Sequence, residues 1–130
     1  MLTIVMAMLT NLITVYPGGG AYLWTPPPPV NVYVQRGRSA VIYNVRGYKT
    51  YPTCMSIPPV IVDAYPRPQL GTISTSPTSM TGDGPCGVQT YAIQTITYTA
   101  GQTAGSESFQ VYFYMTDGAR DQRGVNIIVR

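Results

Sequence analysis

Histidine is absent from this 130-residue chain, lysine occurs once, and only 10% of residues carry a charge. Without histidine, Ser-His-Asp and Cys-His nucleophilic arrangements are excluded, and Lys49 has no Ser-Lys motif around it. Two cysteines without histidine cannot complete the three or four ligands of a zinc site. The five acids, Asp63, Asp83, Glu107, Asp117 and Asp121, are scattered, and the short loops expected here leave little cleft to hold two carboxylates face to face as glycoside hydrolysis requires. The chain therefore reads as a non-enzyme without a cofactor. "PGGGA" precedes no helix and lacks the lysine and hydroxyl of a phosphate-cradling loop. Net charge is +3 with a pI near 9.0, but the basic residues form no block, so nucleic acid is not an expected partner.

Apolar residues make up 45%, with 11 Tyr, 13 Gly and 12 Pro. Solubility must come from Thr, Ser, Gln, Asn and Tyr, and that balance suits pleated, half-buried strands joined by many turns. Period-two segments recur at "VNVYVQ" (30–35), "SAVIYNV" (39–45), "PVIVDA" (59–64), "QLGTIS" (69–74), "TYAIQTITYT" (90–99), "SESFQVYFYM" (106–115) and "GVNIIVR" (124–130). They predict an all-β, Ig-like antiparallel sandwich of about seven strands. In 106–115, Phe109, Val111, Phe113 and Met115 share the core face, and Gln110, Tyr112 and Tyr114 the other. Val125, Ile127 and Val129 match them, so these two strands should pair antiparallel. The stretch "TSPTSMTGDGP" reads as a connecting loop.

Three regions divide the chain. Residues 1–21 open with "MLTIVMAMLTNLITV", an uncharged run too short to span a bilayer comfortably. It fits a signal-peptide core, with Gly19 and Ala21 as the small residues before a cut, though no basic residue precedes it. A strand docked on the domain, or donated to a neighbouring subunit, is the competing reading. Residues 22–29 form a Pro-rich spacer, and 30–130 the sandwich. Cys54 and Cys86 are expected to pair; a bridge closing about 33 residues would contribute roughly 3–4 kcal/mol. Two free thiols packed as small hydrophobes are the alternative. Pairing and composition together point to a secreted, periplasmic or cell-surface protein.

The order "GYKTYPTC", "PQLGTIS", "ITYTAGQTAGSESFQVYFYMTDGARDQRGVNIIV" resembles bacterial immunoglobulin-like and cadherin-like repeat domains of large surface proteins. Gly71-Thr72-Ile73 looks like their "hGTL" strand. Tyr98-Thr99-Ala100 and Gly105-Ser106-Glu107-Ser108-Phe109 look like the segment that follows, closed by Thr116-Asp117-Gly118. The resemblance covers about residues 30–130 and implies a sandwich module for adhesion or surface display. Where many members carry calcium-holding acids, this chain has Arg46 and Lys49.

Candidate contact residues are the outward Tyr112 and Tyr114 with Arg120 and Arg123 in the adjoining loop. Asp117 and Asp121 flank Gly118 in the same loop and could offer oxygens to a hard cation, or simply build the turn. The expected function is a non-catalytic exported module whose partner is a protein or surface glycan. The alternatives are a self-assembling fibre, pilus or virion subunit exchanging its N-terminal strand, and a sugar- or polyanion-binding module.

Overall fold

Strict alternation over 106–115 predicts one face of a sheet, and the chain builds its architecture around that face. The computed structural model describes residues 12–15, 28–49, 53–57, 60–114 and 120–130. In chain order the strands are β1 (Leu12–Val15), β2 (Val30–Val34), β3 (Ser39–Lys49), β4 (Met55–Ile57), β5 (Val60–Tyr65), β6 (Gly71–Gly82), β7 (Gln89–Ala100), β8 (Gly105–Tyr114) and β9 (Arg120–Val129). One sheet has the order β1-β3-β7-β6 with β4 also on β3; the other is β2-β9-β8-β5. The orders β3-β7-β6 and β9-β8-β5 are those of the B-E-D and G-F-C strands of an Ig-like sandwich. No helix among the described residues is long and apolar enough to cross a membrane.

The all-β sandwich is as the sequence predicts, with two corrections. Among the described residues there are nine strands, because β1 and β4 join the expected seven, and the sheets are mixed: β1 runs parallel to β3, and β2 parallel to β9. The third difference is length. β6 absorbs most of "TSPTSMTGDGP" and pairs with β7 without a break from Gly71↔Ala100 to Gly82↔Gln89. Pro77 is tolerated there because β6 is the edge of its sheet, where a missing N–H need not cost a ladder bond.

Phe109, Val111 and Phe113 are buried and face Val125, Ile127 and Val129 between the sheets, packed on Ile42, Tyr43, Val45, Ile96 and Tyr98. Met115 lies outside the described residues. β8 and β9 pair antiparallel, with Phe109 opposite Val125. This is the expected core, and burying side chains of this size is its main source of stability, about 1.5–3 kcal/mol each.

Sheet β1-β3-β7-β6 buries both of its faces at one end. The β7 ladder runs unbroken from Ile96 to Ile93, so Ile93 and Tyr91 point away from the main core. With Met80 they form a second cluster, against which Leu12 and Cys86 pack. β1 therefore serves two cores at once: Ile13 enters the first and Leu12 the second. Gly47 is paired with Val15 on one edge and Ile57 on the other. Since the β3–β7 ladder ends at Arg46↔Ile93, β4 takes the place beside β3 that β7 leaves.

Candidate interaction surface

Directly opposite residues on neighbouring antiparallel strands share a face. Tyr112 is opposite Gln122 and Tyr114 opposite Arg120, so these positions lie on the outward face. Tyr114 is exposed and Tyr112 half-buried. Arg123 is opposite Val111, and Asp121 opposite Phe113, which turns both toward the interior. Arg123 Nη1 meets Asp121 Oδ1 in an ion pair whose two side chains are only 17% and 14% exposed. Beside them, Tyr43 is buried and donates its hydroxyl to Gly124 O at 3.0 Å. Burial raises the Tyr43 pKa, partly offset by a backbone hydrogen bond from Val30 and by the Arg123 charge.

The expected contact set is therefore split. Arg123 does not join Tyr112 and Tyr114, because residues 120–123 continue β9 instead of forming a loop. Counting back by twos from Val125 would have placed Arg123 inward. Arg120 is in β9 opposite Tyr114; Asp117 lies outside the described residues. Asp121 Oδ1 accepts from Gln122 N and from Arg123, which fits a local electrostatic role better than a cation ligand. Among the described residues, no group of three or more His, Cys, Asp or Glu is placed to hold a metal ion.

Cys54 and Cys86 form a disulfide, with their Cα atoms 5.3 Å apart. It ties the segment before β4 to the β6–β7 connection over the second cluster. In that connection the Tyr91 hydroxyl accepts from Cys86 N at 2.8 Å and donates to Gly87 O at 2.9 Å. Arg46 stacks over the Tyr91 ring at 4.8 Å, donates to Asp83 O, and reaches Thr14 Oγ1 of β1 at 3.0 Å. Arg46 thus fastens β1 and the disulfide-tied connection to one aromatic ring.

Glu107 has an equally specific place. Its carboxylate accepts Gln69 N at 2.6 Å, Leu70 N at 3.1 Å and the Tyr98 hydroxyl at 2.6 Å. Gly71 follows directly, and a Cβ there would collide with Thr99 O and the Tyr98 ring. The Gly71, Tyr98 and Glu107 positions that carry the sequence resemblance are thus parts of one joint.

The open side of the sandwich between β5 and β6 holds a cleft of about 430 Å³, floored by Ala64, Ile73 and Val111 and rimmed by Asp63, Arg67, Thr72 and Thr75. Asp63 is its one carboxylate among the lining residues, and it accepts Ala64 N at 2.7 Å. No family model, curated protein or solved structure matches the chain.

Proposed function

We propose that the chain is a non-catalytic, exported Ig-like module that serves adhesion, surface interaction or structural support, as its resemblance to bacterial immunoglobulin-like and cadherin-like domains implies. The observation that carries the reading is the Cys54–Cys86 disulfide, because such bridges persist in oxidising compartments and are rare in the cytosol. The contact surface in this reading is the outward Tyr112 and Tyr114 with Arg120 across the ladder, meeting a protein or surface glycan. Cell fractionation followed by non-reducing peptide mapping tests it. The expected result is a linked Cys54–Cys86 peptide from a fraction outside the cytoplasm, and free thiols in a cytoplasmic pool would reject it. Tyr112→Ala/Tyr114→Ala with unchanged association would remove the surface but leave the export reading standing.

A second reading, self-assembly by strand exchange, is favoured by the docking of β1. A four-residue strand that enters two cores is held by few ladder bonds of its own, and its counterpart from another copy would make the same contacts. Light scattering of the intact chain decides: concentration-dependent growth abolished by Ile13→Asp supports exchange, and a monomer at every concentration rejects it.

A further inference from the structure

The sequence places candidate cations beside Tyr112 and Tyr114, but Arg123 is committed to Asp121. A different group of arginines is uncommitted. Arg36 and Arg38 flank Gly37 in the β2–β3 turn, and Arg130 follows β9. All three are exposed, and among the described residues none of their guanidinium groups has an acidic partner or hydrogen bond.

The backbone beneath them is built as a platform. Arg36 N donates to Arg130 O at 2.9 Å, and Arg130 N to Val34 O at 3.0 Å. Gly37 N donates to Gly101 O, Ala100 N to Arg38 O, and Gly101 N to Leu70 O. Four chain segments are thereby stitched together at one end of the sandwich, and Gly37 meets the turn with a φ of 73° that side chains beyond glycine rarely adopt. Arg130 is further oriented by its guanidinium carbon lying over the ring of Tyr33, 4.7 Å from the ring centre, with Tyr33 itself 57% exposed. A guanidinium held over a ring by cation–π attraction keeps N–H groups for an anion, and those groups match a carboxylate or sulfate with two parallel hydrogen bonds. Glu107, near the start of β8 where Gly105 pairs with Val129, turns its oxygens to Gln69, Leu70 and Tyr98, so it spends its hydrogen-bonding capacity within the fold.

We infer that this pole, centred on Arg36, Arg38 and Arg130 over Tyr33, binds an acidic polysaccharide through its carboxylate or sulfate groups. The surroundings favour a sugar chain over a nucleic acid. Exposed Gln35 and Gln102 are short-range amide donors and acceptors suited to sugar hydroxyls, whereas a nucleic-acid backbone would call for a longer basic track than three arginines on an end of the domain. The inference rests on the reading of the chain as an interaction module but not on its export, since binding is measured with purified protein.

The experiment compares retention of the intact, oxidised chain on immobilised polyuronate, sulfated dextran and neutral dextran, with duplex DNA as competitor. Arg36→Ala/Arg38→Ala is set against Lys49→Ala/Arg67→Ala, which removes the same charge elsewhere; thermal melts confirm that both fold. The expected result is retention on one or both acidic matrices but not on neutral dextran, weakened at least about tenfold by the first pair and by Arg130→Ala, and little changed by the second. Preference between the two matrices identifies carboxylate or sulfate as the group recognised. Equal loss in both double variants, no retention of the unaltered chain, or tighter binding to DNA would overturn the proposal.

Discussion

The Tyr98 hydroxyl donates to Glu107 Oε2 at 2.6 Å, joining β7 of one sheet to β8 of the other. The same carboxylate takes the N–H groups of Gln69 and Leu70, so the approach to β6 is fixed by it as well. Hydrogen bonds to a charged acceptor contribute more than neutral ones, and an orphaned partner costs its desolvation.

Glu107→Gln keeps the shape but removes the charge and turns one acceptor into a donor facing N–H groups. Chemical denaturation should show a loss of about 2–3 kcal/mol. Glu107→Ala should cost at least as much, and a loss below that of a surface control would contradict the joint.

Alkaline pH should attack this joint. Burial first, then the hydrogen bond and charge of Glu107, push the Tyr98 hydroxyl well above the ordinary value of 10.0; burial also raises Tyr43. Both protons are held more tightly folded than unfolded, so their contribution is whole below about pH 10 and is lost progressively as pH climbs above it. Denaturant midpoints measured up that range should fall. Tyr98→Phe should start about 1 kcal/mol lower at neutral pH and decline less steeply.

Removing the disulfide by Cys54→Ala/Cys86→Ala should lower stability by about 3–4 kcal/mol on the chain-entropy model. Hydrogen exchange should locate the damage around Tyr91 and β1, with the Phe109–Val111 amides changed only through the global unfolding term.

Arg46→Leu removes the stack on Tyr91 and the hydrogen bonds to Thr14 and Asp83. The expected cost is about 1–3 kcal/mol, accompanied by faster amide exchange along β1. Unchanged exchange there would show that Ile13 and Leu12 hold the strand by packing alone.

Face assignment has its own check. Phe113→Ala empties a core position and should cost about 3–5 kcal/mol, whereas Tyr114→Ala, one residue further along on the outward face, should stay within about 0.5 kcal/mol.

β8 and β9 were legible because each has one face in the core and one outside, the condition under which a period of two is written into the residues. β7 was not, because its sheet is covered on both faces at one end: Tyr98 and Ile96 point inward while Ile93 and Tyr91 point out, and the sum reads as ambiguity. β6 was cut short in prediction because Ser, Thr and Pro look like a loop when packing against β7 cannot be seen. The run that holds β1 fits both an export segment and a docked strand for a related reason, since a strand that serves two cores is apolar without alternation. Of the candidate site, the disulfide pair was legible from two cysteines and no competing ligand. The arginine platform was not, because Arg36, Arg38 and Arg130 meet only through backbone hydrogen bonds between segments far apart in the chain.

The parallel pairing of β2 with β9 has a mechanical meaning. Val30 to Val34 lie beside Val125 to Val129 in the same direction, so tension applied through the residues before β2 and through Arg130 draws the two strands past each other lengthwise. Every bond of that short ladder is then strained together, where a hairpin pulled from its open end would surrender its bonds one by one. Under such a pull this ladder resists as a clamp and gives way all at once.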